Sequence, residues 1–122
     1  MTESNRVVIV DDNEDITDVF SDILEIGGFE VMGVGHDGND AISLYKKHKP
    51  DIIFLDVMMP TVDGIQALKE IKKINPKSKV VMVTADNSTH TINELEKHGA
   101  TTIIVKPFKI EVVFETIKKI IK

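Results

Sequence analysis

The chain contains no cysteine. That excludes a disulfide framework and a thiolate-bound metal, and it agrees with a reducing compartment. No apolar run comes near the roughly 20 residues that a bilayer-spanning helix needs. The start, Met1-Thr2-Glu3-Ser4-Asn5-Arg6, lacks the apolar core of a secretory signal, so the expected location is cytoplasmic, with no membrane partner. Excess positive charge is missing as well: the formal net charge is -5, which argues against a nucleic-acid partner. There is no internal repeat, linker or low-complexity tract. What remains is ordinary, 42% hydrophobic and 29% charged residues in a chain of 122. That composition is a folded chain's, and the length predicts one domain over 1–122 with a core that needs no staples.

The most informative stretch runs from Asp51 to Gly64. Ile52, Ile53, Phe54 and Leu55 form a short run of branched and aromatic residues, the pattern of a strand buried on both faces, and it leads straight into Asp56. Pro60 and Asp63-Gly64 then break regular structure. Similar runs recur at Val7–Val10, more weakly at Phe29–Val34, then at Val80–Val83 and Thr102–Val105. Between them, apolar residues return at helical spacing. Ile16, Val19, Phe20, Ile23 and Leu24 mark the first helix, stopped by Gly27-Gly28. The second covers about 38–48, with Ala41, Ile42, Leu44 and Tyr45 inward. Ile65, Leu68 and Ile71 mark the third, closed near Asn75-Pro76. The fourth covers about 87–98 and ends at Gly99. Ile110, Val113, Phe114, Ile117, Ile120 and Ile121 mark the last, with Lys118, Lys119 and Lys122 at its negative end. Five alternations with short links predict an α/β fold, a parallel sheet with helices on both faces. The fourth helix, with Ile92 and Leu95 as nearly its only large apolar residues, is expected to be the least anchored.

In a parallel sheet every strand's carboxyl end lies on one edge, where ligands bind. Four of these ends are polar: Asp11-Asp12, Asp56, Thr84 and Lys106. Converging carboxylates repel, so either some are protonated or a cation neutralises them. Oxygen donors without His or Cys suit a hard ion, and Mg²⁺ commonly binds one or two carboxylates together with a phosphate. Lys106 adds a fixed positive charge and Thr84 a hydroxyl donor. This set is equipped to place a phosphoryl group on Asp56 as an acyl phosphate.

Each residue also has a plainer reading. Asp11, Asp12 and Asn13 suit a helix N-cap, which does not exclude metal binding. Asp56 alone would be a loop carboxylate, Thr84 an ordinary strand residue, and Lys106 a side chain snorkelling from a strand end. Met58 and Met59 read as packing. His36, His48, His90 and His98 show no metal spacing and read as surface residues, and Gly64 and Gly99 as backbone punctuation.

Taken as a set, the Asp11-Asp12 pair, Asp56 with Met59-Pro60 and Asp63-Gly64, Thr84-Ala85 and Lys106-Pro107-Phe108 resemble the CheY-like receiver domains of two-component response regulators. The resemblance spans Val7 to the final helix. It implies a doubly wound sheet of order 2-1-3-4-5, an order shared by flavodoxin and CheY. It further implies a phosphoacceptor signalling domain rather than an enzyme. Asp56 would take phosphate from a sensor histidine kinase or a histidine phosphotransfer protein, and the phosphorylated form would change binding to a downstream target. Asp12, Asp56 and the Met58 carbonyl would ligate Mg²⁺, with Asp11 acting through water. Thr84 and Lys106 would grip the phosphoryl oxygens, and a cis peptide before Pro107 would aim the lysine.

The chain departs from the pattern in places. The position three before Lys106, often aromatic in the family, is Ile103, so the usual aromatic readout is in doubt. Met58 and Asp86 stand at positions that family comparison links to the lifetime of the phosphoryl group. The end at Lys122, just after the last helix, leads us to expect a stand-alone receiver acting through partners, monomeric or weakly dimeric. It is either a messenger that docks to a target or a phosphorelay intermediate, and a receiver cut from a larger regulator stays open. Two other classes are weighed. A haloacid dehalogenase-type phosphatase expects its nucleophile after the first strand and a second Asp two residues on, but Asn13 and Met58 stand at those offsets. A flavin-binding flavodoxin needs a Gly/Ser/Thr phosphate loop, whereas Asp11-Asp12-Asn13-Glu14-Asp15 repels phosphate.

Overall fold

Five strands and five helices alternate without exception in the computed structural model, which describes residues 5–59 and 62–121, for Ile121 the backbone alone. In chain order they are β1 (Arg6–Val10), α1 (Glu14–Ile26), β2 (Glu30–Gly35), α2 (Gly38–His48), β3 (Ile52–Asp56), α3 (Gly64–Ile74), β4 (Val80–Thr84), α4 (Thr89–Lys97), β5 (Thr102–Val105) and α5 (Ile110–Ile121). The sheet is parallel throughout, in the order β2-β1-β3-β4-β5.

The period-two alternation of side chains divides the three inner strands between two cores. Val8, Val10, Ile53, Leu55, Val80 and Met82 face one layer, which holds Ala41 and Tyr45 of α2, Leu68 and Ile71 of α3, and Leu95 of α4. Val7, Ile9, Ile52, Phe54, Val81 and Val83 face the other, against Phe20 and Leu24 of α1 and Val113 and Ile117 of α5. Strands buried on both faces have no polar alternation to show, so they read as unbroken apolar runs.

Side-chain caps start the helices. Asn13, Asp37, Asp63 and Ser88 each accept backbone N–H groups of the first turn of α1, α2, α3 and α4. Capping shortens the fourth helix relative to the expected 87–98, because Ser88 is its N-cap and His98 its C-cap. The thin stripe expected of α4 is present: Thr91 and Leu95 are its buried side chains. Two apolar residues assigned to the inner faces behave otherwise. Val19 is 59% exposed and Ile110 49%, while Ile121 has no described side chain. Pro60 and Lys122, both used in the sequence reading, lie outside the described residues.

Candidate functional site

The N–H of Asp11 still bonds to Gly35 as β1 ends, which carries the strand's direction one residue past its last pair. Its buried carboxylate is held on both oxygens. Oδ1 accepts the N–H of Asn13 at 3.0 Å, and Oδ2 accepts Lys106 Nζ at 2.8 Å. Asn13 Oδ1 does the capping, accepting from Asp15 and Ile16 at 2.9 and 3.2 Å. The capping side chain is thus separate from the acid pair, and Asp12 is exposed.

Asp56 closes β3 and is paired across the sheet with Val83. It is 6% exposed. Lys106 follows β5, anchored by its N–H on the Thr84 carbonyl at 2.7 Å, with Nζ 3.5 Å from Asp56 Oδ2. The Lys106–Pro107 peptide is cis. Oxygens of Asp11, Asp12 and Asp56 all lie within 4.8 Å of one another. Three strand ends therefore deliver three carboxylates and one ammonium to one spot. Met58 lines the adjoining surface with Asp12 and Asp63, its side chain 71% exposed; it is not the packing residue expected. Met59 is in the core.

Three acids against one ammonium leave negative charge uncompensated. Burial above all, then the charge of Asp11, raises the Asp56 carboxyl from 3.8 to about 6; Lys106 and a Met58 backbone hydrogen bond offset part of this. Lys106 is pulled both ways. Burial lowers its pKa, but its bond to Asp11 and the charges of Asp56 and Asp11 outweigh burial and raise it. A site that pushes one carboxyl toward neutrality, with carboxylate donors from three residues and one of those acids exposed at the rim, fits a hard divalent cation such as Mg²⁺.

Thr84, 1% exposed, ends β4. Its Oγ accepts the N–H of Asp86 at 2.9 Å. Asp86 in turn accepts the Ser88 N–H at 2.9 Å and the Thr91 hydroxyl at 2.6 Å. These bonds, the Thr91 one foremost, keep its carboxyl below the usual range. The side chain expected to flank a water path is turned into the first turn of α4. Ile103 packs partly buried against the α2–α4 core layer.

Two contributions escaped the sequence reading. His36 is partly buried, its Nδ1 3.0 Å from the Asp11 carbonyl, so it braces the loop that carries the acids. Only loop geometry reveals that. Gly64 is more than punctuation. Its N–H bonds Val57 O at 2.8 Å, and a Cβ there would run into the Asp56 carbonyl. The Asp63-Gly64 pair after an apolar run was the available signal.

The sheet order and the polar groups gathered at its carboxyl edge define a doubly wound domain of the flavodoxin-like class. Residues 7–118 match the response regulator receiver domain, and the chain belongs to that family, a family of signalling domains. It is 39% identical to the chemotaxis protein CheY of Bacillus subtilis, over 95% of this chain and 97% of the relative. It is 40% identical to the CheY of Thermotoga maritima, over 96% and 98%. Among solved structures, the CheX–CheY–BeF₃–Mg²⁺ complex from Borrelia burgdorferi contains a chain 30% identical, with a TM-score of 0.92 over 96% of this chain and 89% of that one. The phosphatase and flavodoxin readings give way to this family.

Proposed function

We propose that Asp56 is the phosphoacceptor of a single receiver domain occupying 1–122, charged by a histidine kinase or a histidine phosphotransfer protein. One observation carries the reading: Lys106 Nζ stands 2.8 Å from Asp11 and 3.5 Å from Asp56, inside a cluster of three carboxylates. A bare acid would be a poor nucleophile for a phosphoryl group because both are negative; the ammonium and the Thr84 hydroxyl answer that repulsion.

In the transfer, an Asp56 carboxylate oxygen bonds to phosphorus as the donor's phosphorus–nitrogen bond breaks. The departing imidazole keeps the bonding pair and takes up a proton. Lys106 donates to the incoming phosphoryl oxygens. Thr84 donates its hydroxyl to another. Asp12, Asp56 and the Met58 carbonyl would hold Mg²⁺, with Asp11 acting through water. That ion would neutralise charge on the carboxylates and on the transferring oxygens. The Borrelia burgdorferi CheY, solved with Mg²⁺ and beryllofluoride, supports this assignment, since beryllofluoride has the shape and charge of a phosphoryl group.

An apolar hollow of about 610 Å³ adjoins the site, between Ile16, Val19 and Ile23 of α1 and Pro107 and Phe108. Lys106 borders both, so a donor helix seated there would bring its histidine to Asp56. The reading includes a cytoplasmic location, a monomer or weak dimer, and no turnover beyond self-catalysed phosphorylation and dephosphorylation. A messenger role is favoured over a relay by the CheY relatives, which this chain matches over 97% and 98% of their length. Incubation with a phosphorylated phosphotransfer protein tests the choice. A messenger keeps the group until hydrolysis, whereas a relay returns it to a second histidine.

A further inference from the structure

We infer that the groove between the carboxyl-terminal ends of α3 and α4 binds a polyphosphate group. The groove, of about 580 Å³, is lined by Lys69, Lys72 and Lys73 of α3 and by Lys97 and His98 at the end of α4. It lies on the opposite edge of the sheet from Asp56, since both helices begin at the acidic edge and end at this one. Among the described residues, no carboxylate lines it, although the chain as a whole carries a charge of -5. Glu70 meets Lys73 at 3.3 Å and Glu94 meets His98 at 3.7 Å. Among the described residues, no carboxylate lies within ion-pair distance of Lys69, Lys72 or Lys97.

Lys72 is already fixed in place. Its Nζ donates to the Ser78 carbonyl at 2.6 Å, and its stem crosses Gly99, where a Cβ would stand 3.3 Å from Cε. Gly99 has φ +92°, so a larger residue there would be strained as well as crowded. One donor of the ammonium is used and two remain. Burial, then the charge of Lys79, lowers the Lys72 pKa, so an anion seated beside its ammonium would oppose both effects.

Lysines near helix carboxyl ends ordinarily complement the macrodipole, and Lys46, Lys47, Lys118 and Lys119 do so on α2 and α5. At α3 and α4 two such ends flank one concavity of small-molecule size. Several ammonium groups around one hollow suit closely spaced phosphate oxygens. An extended acidic peptide needs a longer track.

The test is an amide chemical-shift titration with sodium tripolyphosphate, in Mg²⁺-free buffer at physiological ionic strength. Saturable shifts confined to residues 69–79 and 97–100 are expected, with the Lys72 side-chain pKa rising on binding. A Lys69→Gln/Lys97→Gln variant should bind about tenfold more weakly, as expected for losing two partly screened charge pairs. That variant should keep Mg²⁺-dependent phosphorylation, because neither residue is near Asp56. Non-saturating shifts, equal shifts at Lys118 and Lys119, or unchanged affinity in the variant would overturn the proposal. So would a hexaglutamate peptide that binds as tightly as tripolyphosphate.

Discussion

The Thr91 hydroxyl donates to Asp86 Oδ2 at 2.6 Å, and Asp86 is tied through its own N–H to the Thr84 hydroxyl oxygen. The end of β4 is thereby linked to the first turn of α4 by two hydrogen bonds in series. With Ile103 where an aromatic reporter is common, this is a direct connection between the candidate phosphoryl site and a helix anchored by only two buried side chains. Thr84 Oγ cannot turn toward a phosphoryl oxygen without disturbing its bond to Asp86. We expect beryllofluoride with Mg²⁺ to raise amide exchange in residues 88–95. Thr91→Val should raise it roughly three- to tenfold without the ligand, the size of losing one capping-type bond. Exchange that stays the same in both experiments would remove the link.

Asp56 also governs how stability depends on pH. Its carboxyl sits at about 6 in the fold against 3.8 in the open chain, so the folded state holds the proton more tightly. Stability therefore falls as pH rises through that window, and the charged form is a burden at neutral pH. Asp56→Asn should raise the urea-unfolding free energy near pH 7 by about 2 kcal/mol in Mg²⁺-free buffer. The gain should vanish only below about pH 3, well under the open-chain value of 3.8, where both states are protonated. A destabilised variant, or a gain independent of pH, would contradict the electrostatic picture.

Lys106→Met should leave Asp11 and Asp56 without their ammonium and slow phosphorylation by acetyl phosphate about 100-fold, the usual order for losing one oxyanion donor. Mg²⁺ binding should persist, since Lys106 supplies no ligand atom. Rates of modified mass against time measure this directly. An unchanged rate would mean that the lysine only pairs with Asp11.

Gly64→Ala puts a methyl group against the Asp56 carbonyl. Backbone cannot yield as a flexible side chain does, so the loop from Asp56 to Asp63 must shift. A loss of about 2 kcal/mol in unfolding free energy is expected, together with slower phosphorylation. An unaltered urea midpoint would show that the approach is looser than described.

Met58 and Asp86 are expected to tune phosphoryl lifetime unequally. The Asp86 carboxylate is engaged by Ser88 and Thr91, whereas the Met58 side chain stands in solvent beside Asp12. Met58→Asn, which can hydrogen-bond a water, should shorten the lifetime more than Asp86→Ala changes it. No change in either variant, followed by decay of the modified mass, would end the idea.

The strands were legible because a parallel sheet buried on both faces leaves runs such as Ile52–Leu55 with no polar interruption. The four polar strand ends were legible for the same reason, since each stands where such a run stops. Less visible were the contacts set by loops. Nothing in the spacing of His36 and Asp11 says that ring and carbonyl meet at 3.0 Å, and Asp86 is directed by the turn at Ser88. Helical periodicity also failed to tell Val19 from Phe20. Both fall on the apolar arc of α1, but Phe20 faces Phe54 with ring centroids 4.9 Å apart, while Val19 faces the open hollow beside Phe108.

The central claim is that Asp56 is phosphorylatable because a cation, an amine and a hydroxyl share its pocket. Intact-mass measurement after incubation with acetyl phosphate and Mg²⁺ tests it most directly. The account predicts one added phosphoryl group, lost when Mg²⁺ is chelated beforehand and absent from Asp56→Ala. An equal mass gain in Asp56→Ala, or no gain in the native chain, would contradict it.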